Sequence, residues 1–411
     1  MRLLLTYLLV VVTVIFNLDV PVAFAEGSSS ITPNELFGES AILIDATTGQ
    51  VLFEKNPHVK LYPASITKIA TGIYAIEKGN PDDVVTVSKK ARYEEGTRVY
   101  LGEGEQVSLR KLEYGLLMHS GNDAATAIAE HMSGSTEQFA EELNAFLVEK
   151  VGVTETHFAN AHGLHDPEHY TTAADMAKIA QYAMKNPIFR EIVGTNRLPW
   201  DGREWKSELI NHNKLLRDYP GATGIKNGFT DQAMHTLVGS AKRGDTEMIA
   251  VTMKAASGNY AYKDVTKLLD FGLNGYETKQ IAAKGERYSA IAAPGDTNQV
   301  SYTAKEDLYA TVPVGSEPLV ELTADGQLSV SAGELAMTYP LERHEPPAQR
   351  VQAASAAFGF GAADDDSSHS YARYGLLIAW LGMNLFLIGY TFSRSRRMRR
   401  VRQRNLERRV N

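Results

Sequence analysis

Ser65 and Lys68 stand three residues apart in Ser65-Ile66-Thr67-Lys68, and on a helix positions i and i+3 share a face, so a hydroxyl and an amine become neighbours. A serine hydroxyl is a weak nucleophile until a base takes its proton, and a lysine serves as that base when desolvation or a nearby cation keeps it neutral part of the time. Lys68 is placed for that role, and Lys226, in Lys226-Asn227-Gly228, is able to supply the cation. Between them in the chain, Ser120-Gly121-Asn122 offers a second hydroxyl and an amide. Each motif alone is commonplace. Ser65 reads as an ordinary first-turn residue, Ser120-Gly121-Asn122 as a turn, and Lys226-Asn227-Gly228 as a tight turn of the Asn-Gly type. Their order and spacing in one chain make them a candidate serine acyl-transfer site.

The elements that must position these residues are legible in part. Two short apolar runs, 41–44 and 51–53, joined through Thr47-Thr48-Gly49, predict a β-hairpin. Pro63 precedes an Ala/Ile-rich helical stretch over 64–76, which places Ser65 in the first turn, where a backbone N–H at the positive helix end is able to meet an oxyanion. Helical periodicity recurs over 109–118, 124–131 and 137–151, the last stopping before Gly152. Thr172 and Asp175 resemble a capping box that opens a helix over 173–184. Residues 236–241 and 247–253 are β-rich around Lys242-Arg243-Gly244-Asp245, a second hairpin, and 279–345 alternates in short segments broken by Gly, Asp and Pro, a small all-β module. No internal repeat is evident.

The set S-x-x-K, S-x-N, K-[T/S]-G resembles the signature of the penicillin-recognising serine enzymes. The surrounding sequence is similar to the low-molecular-weight D-alanyl-D-alanine carboxypeptidases, the S11 peptidases. The likeness runs over 41–272 and includes YPASITKIAT, LLMHSGNDAATAIAE, FAEELNAFLVEKVGVTETHFANAHGL, YTTAADMAKIAQ and GIKNGFT. It implies an α/β fold with an antiparallel sheet flanked by helices, a helical subdomain carrying Ser120, a small C-terminal β domain and a C-terminal membrane anchor. It further implies Ser65 as acylated nucleophile, Lys68 as general base, Ser120 as proton relay to the leaving amine and Asn122 as partner of the substrate amide. Lys226, Asn227, Gly228, Phe229 and Thr230 would line the substrate on an edge strand, with the N–H groups of Ser65 and Phe229 as oxyanion hole. The substrate implied is a peptidoglycan stem peptide ending in D-Ala-D-Ala, the inhibitors β-lactams, and no metal or organic cofactor is required.

Two positions depart from that pattern. Asn227 stands where the family has a hydroxyl residue, and Ala261 aligns with an arginine that holds the terminal carboxylate; Lys254 and Lys263 are the nearest bases in sequence, and a lysine does not replace a bidentate guanidinium. These departures keep open a non-hydrolytic envelope protein that binds penicillin or stem peptides. A β-lactamase is the weaker rival, because Ala140 precedes Glu141-Glu142-Leu143-Asn144 where an E-x-x-L-N deacylation loop needs a glutamate. His162, His165 and His169, with Asp166, have tempting metal spacing, but no second cluster accompanies them and they read as loop histidines; His119 reads as packing under the second motif.

The 411 residues, 44% of them hydrophobic and 22% charged, suit a folded protein of more than one unit. The absence of cysteine excludes disulfides, thiolate zinc sites, thiol catalysis and a lipidated N-terminal cysteine. Nine arginines and one glutamate in 394–411 set a basic tail against an acidic body, which makes a poor nucleic-acid binder. Residues 1–25 have the charged start, apolar stretch and Ala-x-Ala ending of a signal peptide. Residues 375–392 (GLLIAWLGMNLFLIGYTF) carry no formal charge and as a helix span about 27 Å. The expected order is therefore signal peptide 1–25, catalytic domain 26–278, β domain 279–345, Ala/Ser/Gly/Asp-rich tether 346–370, single membrane span 371–393 and cytoplasmic basic tail 394–411, with the catalytic domain on the extracytoplasmic side.

Overall fold

The computed structural model describes residues 31–291 and 299–344. The expected signal peptide, tether, span and tail lie outside them, and among the described residues no helix is long and apolar enough to cross a membrane.

A five-stranded antiparallel sheet organises the catalytic region. Its strands are β1 (Ser40–Asp45), β2 (Val51–Lys55), β3 (Ala222–Thr230), β4 (Met234–Arg243) and β5 (Thr246–Ala255), in the order β2-β1-β5-β4-β3. The two expected hairpins are present, both longer than their apolar runs, and the second turns in two residues, with Arg243 opposite Thr246 and Gly244 at φ 60°. Strand alternation explains why the central strands read as continuous apolar runs: both faces are covered. On β1, Ala41 and Leu43 join an apolar cluster with the helix Gly258–Gly275, while Ile42 and Ile44 face the larger cluster of the helical side. On β5, Met248 and Ala250 point to the first cluster, Ile249, Val251 and Met253 to the second. A one-residue slip between Ile44 and its partner Ile249 would exchange the two cores, so the register is fixed by burial.

The helical side holds α1 (Lys68–Lys78), α2 (Leu109–Leu117), α3 (Asn122–Ser133), α4 (Thr136–Phe146) and α5 (Ala173–Met184); α6 (Gly258–Gly275) covers the other face. Three expectations are corrected. Residues Ala64–Thr67 form a 3-10 turn ahead of α1, because Thr67 Oγ1 donates to Ala64 O at 2.9 Å and tightens the entry; i and i+3 still share a face, more closely eclipsed than in an α-helix. The capping box at α5 is half made: Thr172 accepts from Asp175 N, whereas the Asp175 carboxylate accepts from Glu155 N and Thr156 Oγ1. Lys226-Asn227-Gly228 is no turn, since it lies within β3, the sheet's edge.

The segment after α6 is all β, beginning with Tyr276–Ala282 paired to Leu308–Pro313. It is fastened to the sheet at Asp45, fully buried, whose Oδ2 accepts from Thr278 Oγ1 at 2.6 Å and Thr311 Oγ1 at 3.1 Å while Oδ1 accepts from Thr47 N at 2.7 Å and Thr48 N at 3.1 Å. Removing one carboxylate strands four donors. Asp45→Ala is therefore expected to cost roughly 3 kcal/mol, an order set by charged hydrogen bonds, seen as a lower urea midpoint; an unchanged midpoint would show that the junction contributes nothing.

Candidate active site

Lys68 opens α1 directly behind Ser65 and is fully buried. Its Nζ lies 2.7 Å from Asn122 Oδ1, 2.6 Å from the His162 carbonyl oxygen and 3.0 Å from Ser65 Oγ. The first two partners only accept: a carbonyl has no proton, and the Asn122 amide is oriented by Nδ2 donating to Glu95 O at 2.6 Å. A neutral amine has two N–H bonds and one lone pair. Spending both N–H bonds on Asn122 and His162 leaves the lone pair for the Ser65 hydroxyl proton.

Burial, then the charge of Lys226, hold Lys68 well below the ordinary ammonium range, against the opposing pull of Asp123 and Glu94. Lys226 is itself buried on β3 and pushed down to about 7 by desolvation; its Nζ donates to Asn227 O at 3.1 Å. Each amine is thus held below the ordinary ammonium range, and positive charge on Lys226 favours the neutral form of Lys68.

Ser65 is held from three sides. Ala64 sits in the left-handed region at φ 51°, and its carbonyl accepts from Thr67 Oγ1. His169 Nδ1 accepts from Ala159 N at 3.0 Å, so its Nε2 carries the proton and donates to Thr67 Oγ1 at 2.8 Å; burial pushes this imidazole down to about 3, keeping it neutral. Gly163 packs so closely that a Cβ there would fall 2.0 Å from Ala64 O. On the strand side, a Cβ at Gly228 would lie 2.7 Å from Ser65 N and 2.6 Å from Thr236 Oγ1, while Thr236 Oγ1 donates to Pro63 O at 2.8 Å. Only glycine lets β3 approach the Ser65 turn this closely.

The second motif is a turn between α2 and α3, with Ser120 buried at φ 65°. Asp123 anchors it by accepting from Val99 N, Leu101 N and Ala124 N at 3.0, 3.1 and 2.9 Å. Asn227 is half-buried, and its Oδ1 has no hydrogen-bond partner among the described residues. Phe229 is 55% exposed with its ring 4.6 Å from that of His235, and the Thr230 hydroxyl is taken by Ala233 N at 3.1 Å. Thr230 Oγ1 thus helps close the β3–β4 turn as an acceptor and keeps its own O–H proton to donate.

Two sequence readings are refined here. Lys254 is paired with Glu39 at 2.6 Å, Lys263 lies over the Tyr260 ring in a groove beside Lys267, and Ala261 is buried in the apolar cluster under α6. His162 and His169, read from spacing as loop histidines, are buried supports of Lys68 and Thr67, while His165 meets Tyr62 edge-on. Spacing alone carries no signal for a backbone carbonyl aimed at an amine; Gly163 between histidines was the available hint of a close approach.

The family model for D-alanyl-D-alanine carboxypeptidase, Peptidase S11, matches residues 28–257. The chain belongs to this family. The S11 carboxypeptidases it resembles include DacF of Bacillus subtilis, 34% identical over 309 residues covering 72% of this chain and 78% of the relative, and DacD of Escherichia coli, 31% identical over 348 residues covering 80% and 86%. Penicillin binding protein 5 from Haemophilus influenzae superposes with a TM-score of 0.67 at 27% identity, over 77% of this chain and 99% of that one.

Within this S11 site, Lys226→Gln removes a cation that depresses Lys68. Less Lys68 is then neutral at a given pH, so the rising limb of the acylation rate with pH shifts to higher pH, whereas Lys226→Arg leaves it near the wild-type position. Stopped-flow penicillin acylation between pH 5 and 10 measures it; a limb unmoved or lowered in Lys226→Gln would refute the electrostatic role.

Proposed function

We propose that this S11 enzyme removes the terminal D-Ala from peptidoglycan stem peptides at the outer face of a cell membrane, through an acyl-enzyme on Ser65. The observation that carries the mechanism is the arrangement of Lys68 between two fixed acceptors and Ser65 Oγ. As Ser65 Oγ attacks the carbonyl carbon of the penultimate D-Ala, its proton passes to Lys68 Nζ. The oxyanion would be met by the N–H groups of Ser65 and Phe229, a reading supported by the close approach of Gly228 to Ser65 N. The C–N bond then breaks as the proton held by Lys68 is relayed through Ser120 to the departing amine, and D-Ala leaves. Water attacks the ester carbonyl as Lys68, neutral again, takes its proton; the Ser65 Oγ–carbonyl bond breaks, Lys68 returns the proton to Ser65 Oγ, and the shortened peptide is released as the acid. Asn122 and the open edge of β3 are suited to hold the peptide backbone.

β-Lactams would acylate the same serine. The full-length protein should gain one penicillin adduct by intact mass spectrometry, mapping to the peptide that holds Ser65, and Ser65→Ala should gain none; an adduct on Ser120 would overturn the roles. Steady release of free D-Ala distinguishes the hydrolase from a penicillin binder that never turns over, the reading that Asn227 favours.

Membrane attachment is supported by the charge-free run 375–392 followed by arginines, and export by residues 1–25. Protease added to sealed protoplasts is expected to digest the catalytic region and spare a C-terminal epitope tag. Digestion of the tag would reverse the topology.

A further inference from the structure

Ala261 is buried in the apolar cluster, Lys254 is paired with Glu39, and Lys263 is exposed over the Tyr260 ring in a groove beside Lys267. The carboxylate's position follows from the chemistry. Its carbon is two bonds, about 2.5 Å, from the departing nitrogen, and that nitrogen is protonated through Ser120. The carboxylate must therefore sit beside Ser120 and Lys226. Two unassigned imidazoles stand there. His119 directly precedes Ser120, and its ring lies 4.7 Å from that of His212, a residue whose backbone N–H donates to Met118 O at 3.1 Å. Trp205 packs against His119 at 5.3 Å, and His119 Nδ1 is buried without a hydrogen-bond partner among the described residues.

Resting on the carboxypeptidase reading, we propose that His119 and His212, beside Lys226, form the seat of the substrate's terminal carboxylate, and that seating it draws a proton onto the imidazole pair. The charges acting on the rings are all positive: Lys226 on His119, and Lys226, Lys68 and Arg217 on His212. The Tyr262 hydroxyl is engaged with the His212 carbonyl at 3.3 Å. Burial and this cationic surround push His212 down to about 3 and lower His119, so both rings are neutral in the empty cleft. An arriving carboxylate reverses the local field. The imidazole affinity for protons rises, and binding of the free acid strengthens as pH falls. Neutral imidazoles avoid a crowd of unpaired cations in the empty site, and yet become donors when the anion brings its own countercharge.

The test uses full-length protein and two probes, N-acetyl-D-Ala-D-Ala and its C-terminal amide. In Ser65→Ala protein with labelled histidine, NMR titration should show His119 or His212 gaining imidazolium character with the free acid and not with the amide. In protein with an intact Ser65, the ratio of free-acid to amide acylation rates should rise from pH 8 to pH 6. His119→Gln and His212→Gln should flatten that ratio and slow the free acid about tenfold, the order of one charge-assisted hydrogen bond, while amide acylation changes less than twofold. Equal losses on both probes, or no ligand-dependent protonation, would overturn the proposal. Failure of both probes and penicillin to acylate Ser65 would instead sink the carboxypeptidase reading, and the NMR titration would still decide the seat.

Discussion

Keeping an amine dry beside a serine is the condition that the rest of the site serves. A lysine in water is a poor base at neutral pH because it is already protonated, and each unit by which burial lowers its pKa reflects about 1.4 kcal/mol of lost preference for the charged form. Lys68 is fully buried, and its two N–H bonds are satisfied by the Asn122 amide and the His162 carbonyl. An unsatisfied buried amine would be too costly to keep. The loop Asn160–Leu164, the α3 start and the 3-10 turn therefore share one task. Asn160 Oδ1 accepts from His162 N and Gly163 N, which folds the loop so that its carbonyl points at Lys68.

That arrangement stores strain at two non-glycine residues. Ala64 and Ser120 both occupy the left-handed region, at a cost of about 1–2 kcal/mol each. They persist because the surroundings over-determine them. The relay from His169 through Thr67 to the Ala64 carbonyl fixes one, and the bond from Gly121 N to Gly115 O together with the Asp123 anchor fixes the other. Left-handed backbone at Ala64 turns the chain so that Ser65 faces Lys68 and β3 simultaneously.

How much of this was legible depended on the kind of interaction. Periodicity placed α2 to α4, the Thr172 cap placed α5, and apolar runs around turn residues placed both hairpins; the family and its enzyme class followed from the three motifs and their flanks. The 3-10 entry escaped notice because a helix and a 3-10 turn share the i, i+3 pattern. β3 escaped because Asn227-Gly228 has turn composition, while tertiary pairing with β4 decides its conformation. The buried roles of His162 and His169 and the closeness of His119 to His212 depend on contacts between segments far apart in sequence, which no local pattern encodes.

Gly228 has a bearing on how such a cleft is able to diversify. With backbone meeting backbone at that point, the slot between β3 and the nucleophile turn has one width, and no side chain at 228 is able to widen or narrow it without displacing the Ser65 N–H. New substrate preferences must therefore be written on either side of the pinch, at 227, half-buried with an Oδ1 that has no hydrogen-bond partner among the described residues, and at 229, whose ring stands in solvent. An asparagine at 227 is a variation of that permitted kind: it changes the polar groups carried next to the pinch while leaving the gap between Gly228 and the Ser65 N–H untouched.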